Sequence, residues 1–207
     1  DGVANLSVDD RLTIANMTTE WGALAGVFPI DEATFEWLKM RALIVRERGA
    51  AGVPSDADGN GHNPRLVPER IEELSVDRLT ADDNPSYAIY LTLDLSTVSP
   101  HVSGPDHVKE MNSVAELSRR GVKIDKAYLV SCVNSRVEDL AAAAKMVKGK
   151  KVADHVEFYV APASSEVQAE SERRGDWRVL IEAGAIPLPA GCGPCIGLGK
   201  GLLQDGE

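Results

Sequence analysis

The feature that most constrains this chain is an alternation of strand-like and helix-like segments between Lys126 and Leu188. Residues 126–131 (KAYLVS) read as a strand. Residues 135–148 read as a helix, with Ser135 and Glu138 spaced as a capping box. A second strand follows at 156–160, a second helix at 164–174, a third helix at 177–183 and a short strand at 186–188. Short connections between alternating elements imply an α/β fold: a parallel sheet flanked by helices in three layers. In such sheets the functional loops gather at the carboxyl ends of the strands.

The cysteines obey that rule. Cys132 follows the first strand of the unit, and Cys192 and Cys195 follow the third. Parallel strands open both loops on one edge, so residues distant in sequence can converge. The helix after Cys132 points its positive end toward that loop, which favours thiolates. Three cysteines on one [4Fe–4S] cluster would leave an iron open to water or substrate, the arrangement for Lewis-acid chemistry. Other readings stay open at this point. Cys132 could be a buried apolar residue beside an unrelated pair. A zinc ion could take His101, His107 or His155 as fourth ligand, although no histidine shows the short Cys–His spacing of common zinc sites. The string CGPC at 192–195 is that of dithiol redox modules, but Gly197, Gly199 and Gly201 disfavour the helix that carries the second cysteine there.

Elsewhere the signals are local. Thr13–Leu24 reads as a loop entering a helix, with Asn16, Thr18, Thr19 and Glu20 as helix-start residues. Residues 31–47 read as an amphipathic helix, and Met17, Trp21 and Trp37 as core. The Gly/Pro/Asp/Asn-rich stretch 48–69 reads as a surface loop or linker. Residues 87–95 alternate as a strand, and 99–105 read as a turn. The net charge of −10 argues against nucleic acid and anionic membranes as partners, and no window is long and apolar enough to cross a bilayer. An odd cysteine count argues against a secreted disulfide scaffold. The first residues carry no leader signal, and the chain reads as an excised segment.

Three blocks resemble the aconitase superfamily: LTIANMTTEWGALAGVFPIDE at 12–32, YLVSCVNSRVEDLAAAAK at 128–145, and EAGAIPLPAGCGPCIGLGKGLL at 182–203. The combination of NMTTEWGA, DLSTVSPHVSGP and LPAGCGPCIG is most like the branch that serves fungal lysine synthesis, rather than aconitases proper or isopropylmalate dehydratase large subunits. The resemblance implies a hydro-lyase acting on a tricarboxylic acid through a [4Fe–4S] cluster. Cys132, Cys192 and Cys195 match the cluster ligands, and Asn134 a loop residue near the cluster. Asn16 and Glu20 match an asparagine beside the cluster and a glutamate at the open iron. Ala15 and Val133 depart from the usual residues but replace no ligand. By the same resemblance, 1–47 ends a preceding aconitase-type domain, 48–84 is linker or surface loop, and 85–207 is the cluster-binding domain, truncated at its C-terminus. The catalytic base and the substrate-binding arginines then lie in the remaining domains of the same polypeptide, and the location is mitochondrial.

Overall fold

The computed structural model describes residues 2–48 and 65–207. They fall into two compact units, Asp1–Val98 and Ser99–Glu207. That division lies later in the chain than the 84/85 boundary read from the sequence. Among the described residues no helix is long and apolar enough to cross a membrane.

In the first unit, helix α1 (Val8–Asn16) starts earlier than expected. Its cap is Ser7, whose Oγ accepts from the Asp10 amide at 3.1 Å while Asp10 accepts from the Ser7 amide at 3.0 Å. Asn16 therefore ends a helix instead of starting one. A single turn, α2 (Thr18–Trp21), carries Glu20 and stops at Gly22, which adopts the left-handed conformation. The amphipathic helix is α3 (Glu32–Arg48). It packs on α4 (Pro68–Val76), and Phe35 and Ala42 meet Ile71 in a small core. Helix α4 lies inside the stretch read as linker; Pro68 at its first turn, which resembles loop composition, suits a helix start. The part of that stretch between residues 49 and 64 lies outside the described residues.

Met17, Trp21 and Trp37 are 40%, 55% and 36% exposed, not core. Helix α2 is one turn, too short to bury Trp21, and α3 turns Phe35, Leu38 and Ala42 toward α4 and leaves Trp37 aside under Arg41. Residues 87–95 form no strand, because none of them pairs with another segment among the described residues. Alternation supplies a strand's faces but not its ladder partner.

The second unit opens with a hairpin of β1 (His101–Ser103) and β2 (Met111–Ser113), antiparallel, where the sequence suggested a turn. Helix α5 (Val114–Arg120) follows, capped by Ser113. The predicted alternation then appears almost residue for residue: β3 (Lys126–Leu129), α6 (Val137–Val147), β4 (Glu157–Val160), α7 (Ser165–Arg174), α8 (Asp176–Ala183) and β5 (Ile186–Pro187). The strands are parallel, in the order β3-β4-β5. A sheet that grows in one direction through crossovers of one hand places every connecting helix on the same face. Leu129, Phe158 and Val160 accordingly meet Leu140, Ala144, Val167, Trp177 and Leu180 in the main core. The alternate residues Tyr128, Tyr159, Ala161 and Leu188 form a smaller cluster. Onto it folds the chain after residue 200.

Candidate functional site

Cys132 sits on a loop that is tied down at every step. The Leu129 carbonyl, at the end of β3, accepts from the Ala161 amide and from the Ser135 hydroxyl, both at 3.0 Å. Ser131, at φ 132°, turns its Oγ to accept the amides of Val133 at 3.1 Å and Asn134 at 3.3 Å. Ser135 is fully buried at φ 58°, and its carbonyl accepts the Ala163 amide at 3.0 Å. The Ser135–Glu138 box expected from the sequence is displaced by one residue: the Arg136 amide donates to Asp139 at 3.0 Å, which frees Ser135 to bolt the loop to the sheet. Cys132 and Asn134 are exposed on this frame, just ahead of the positive end of α6.

Cys192 and Cys195 stand on the loop after β5. The Leu188 amide extends the ladder to Val160 at 2.8 Å. Gly191, at φ 126°, then turns the chain, and one 3-10 turn spans Pro194–Ile196. The Gly193 carbonyl accepts from Ile196 and Leu198, each at 3.1 Å. A cavity of about 220 Å³ is walled by Val130, Ala161 and Leu188 from the strand ends and by Cys192, Cys195 and Lys200 from the loop. A neighbouring cavity of about 470 Å³ is lined by Tyr128, Val130, Cys195, Leu202 and Leu203. Cys132 lines neither, although Val130, two residues before it, lines both.

All three cysteines are free and exposed. Among the described residues no three His, Cys, Asp or Glu side chains gather for a metal ion. Cys132, Cys192 and Cys195 are thus not drawn into one group either, and the histidines the sequence offered for zinc are engaged or placed elsewhere. His101 Nδ1 lies 2.6 Å from the Ser99 carbonyl, and His107 Nδ1 accepts the Lys109 amide at 3.1 Å. His155 precedes β4 and so lies toward the opposite sheet edge from the cysteines. A dithiol redox module needs its second cysteine in a helix; here the 3-10 turn ends at Gly197, at φ 73°.

Glu20 and Asn16 belong to the first unit. Glu20 Oε2 is buried without a hydrogen-bond partner among the described residues. A buried carboxylate oxygen left unpaired is costly and points to an absent partner. The features not anticipated from the sequence are Ser135 as the bolt of the Cys132 loop, and Tyr128, Tyr159 and Lys126 beneath the second loop. In sequence they read as a helix cap and as ordinary strand residues.

The model of the aconitase family (aconitate hydratase) matches residues 1–207. The chain belongs to the aconitase family. Mitochondrial homoaconitases match along its whole length: that of Mycosarcoma maydis is 55% identical over 206 residues, that of Yarrowia lipolytica 54% over 207, and that of Candida albicans 50% over 207. The chain spans 28% of the length of each of these relatives. Membership of the aconitase family implies a [4Fe–4S] cluster. The thiols are of the chemical kind such a cluster takes: three, free, on two loops at the carboxyl ends of strands in one parallel sheet, although they are not gathered into one group among the described residues.

Proposed function

We propose that this chain is the cluster-bearing part of a mitochondrial homoaconitate hydratase. The full-length protein would remove water from homocitrate to give cis-homoaconitate and add it back with the opposite regiochemistry to give homoisocitrate. The observation that carries this reading is the placement of Cys132, Cys192 and Cys195, as free exposed thiols, at the carboxyl ends of β3 and β5. These thiolates would hold the cluster and leave one iron without a protein ligand. When bound, the cluster supplies a Lewis acid that takes the substrate hydroxyl and a carboxylate and makes hydroxide a better leaving group.

The chain's own residues would do the rest of their share by position. Ser131 and Ser135 hold the Cys132 loop in a conformation that few non-glycine residues adopt unaided. Asn134, exposed on the same loop, would be the loop residue near the cluster. Glu20 would hydrogen-bond the departing or entering water or hydroxyl; its Oε2 is a buried acceptor with no hydrogen-bond partner among the described residues. Asn16, at the end of α1, would be the asparagine beside the cluster. The base that takes the carbon-bound proton and the arginines for the carboxylates would come from the remaining domains of the polypeptide. The experiment is turnover of cis-homoaconitate. The full-length, anaerobically reconstituted protein is expected to turn it over and the 207-residue chain is not. Turnover by the chain alone, or an inactive full-length protein that carries a complete cluster, would overturn the proposal.

A further inference from the structure

The downstream end of the cysteine loop is held by β3, the strand that leads into the Cys132 loop. The Tyr128 hydroxyl, on β3 and four positions before Cys132, donates to the Gly201 carbonyl at 2.5 Å. Lys126, two residues earlier on the same face, has a side chain only 6% exposed and donates to the Leu202 carbonyl at 3.0 Å and to the Glu207 carboxylate. The ring of Tyr159, on β4, stacks on that of Tyr128 with centroids 5.7 Å apart and planes at 14°. It presses so close to Gly201, at φ +85°, that a Cβ there would lie 2.8 Å from the ring. Burial pushes both phenols above their ordinary value, so the Tyr128 hydroxyl stays a donor.

Between Leu188 and Gly201 the hydrogen bonds of the loop among the described residues are those of its local 3-10 turn. A segment fixed at one end keeps most of its conformational freedom; fixing both ends removes it. We propose that Tyr128 and Tyr159 are positioning residues that clasp Gly201 and so set where Cys192 and Cys195 stand relative to the Cys132 loop. This rests on the reading that the three cysteines hold the cluster. Tyr128 is suited to the task because the strand that leads into the Cys132 loop also holds the loop of the other two thiols. A shift of β3 moves both together.

The test uses the full-length, anaerobically reconstituted protein and follows the rate of iron loss in air by absorbance and iron analysis. Tyr128→Phe removes only the hydroxyl and is expected to speed iron loss about fivefold, the weight of one hydrogen bond. Its thermal midpoint is expected to stay with the wild type. Tyr159→Phe keeps the ring against Gly201 and is expected to lose iron at the wild-type rate. Cys195→Ser reports on the underlying reading: it must lose iron faster than any tyrosine variant. If Cys195→Ser holds iron as the wild type does, the ligand assignment fails. If Cys195→Ser is labile while Tyr128→Phe matches the wild type, the clasp alone fails. Equal losses in thermal midpoint and iron retention for Tyr128→Phe would mark a merely structural role and also overturn the clasp.

Discussion

Gly201→Ala perturbs the packing beneath the cysteine loop at one atom. Its cost has two sources. The backbone sits at φ +85°, a conformation that costs a residue with a side chain about 1–3 kcal/mol. The added carbon would also meet the Tyr159 ring, with Cζ at 2.8 Å, Cε1 at 2.9 Å and Cε2 at 3.0 Å. Tyr159 is only 4% exposed, so its ring cannot swing away cheaply, and overpacking of this kind costs about 1–3 kcal/mol more. The sum is about 2–6 kcal/mol. Amide hydrogen exchange at Ala161 and Leu188 reads it, because their amides bond across the sheet, Ala161 to Leu129 and Leu188 to Val160. The opening free energy at both amides should fall by that amount. A double-mutant cycle with Tyr159→Ala separates the sources: there the glycine substitution should cost only its backbone share. A total below about 0.5 kcal/mol, or a cost that is the same in both backgrounds, would refute the contact as the cause.

Leu180 is fully buried in the core formed by α6, α7, α8 and the sheet, and Leu180→Ala should destabilise that unit by about 2–5 kcal/mol in the same exchange measurement. Ser164 Oγ accepts the Val167 amide at 3.2 Å, so Ser164→Ala should cost about 1 kcal/mol, seen first at the α7 amides. In the first unit, the Asp31 carboxylate receives Arg11 Nη1 at 2.7 Å and Nη2 at 2.8 Å. That hydrogen bonding holds its pKa down from 3.8 to about 2. The stability it adds is therefore complete above pH 3.8 and is lost as the pH falls toward 2. The gap in thermal midpoint between wild type and Asp31→Asn should be flat above that window and close across it; a gap that widens on acidification would contradict the assignment.

The strand–helix alternation of the second unit was legible because each element carries its own local signal. Ser164 caps α7 and Gly175 ends it, and the apolar residues of α6 recur at helical spacing. Elements that depend on a distant partner were not legible in this way. Residues 87–95 have a strand's alternation without a ladder, while β1 pairs with β2 although its surroundings are rich in turn residues. Helix α4 was hidden by Pro68 and its charged neighbours, which resemble a loop until Ile71 is seen against Phe35. At the site, the thiols and their strand-end position could be read directly. Their supports could not. Ser135 looks like a helix cap until its burial is known, and nothing local to Tyr128 announces a carbonyl 73 positions away.

In the proposed function Cys132, Cys192 and Cys195 together hold one cluster. Iron and zinc analysis with electron paramagnetic resonance, on the full-length protein reconstituted without air, tests it in the wild type and in each single Cys→Ser variant. About four irons per chain are expected in the wild type and a marked loss in every one of the variants. One tightly bound zinc in the wild type, or a cysteine whose replacement leaves the iron content unchanged, would contradict it.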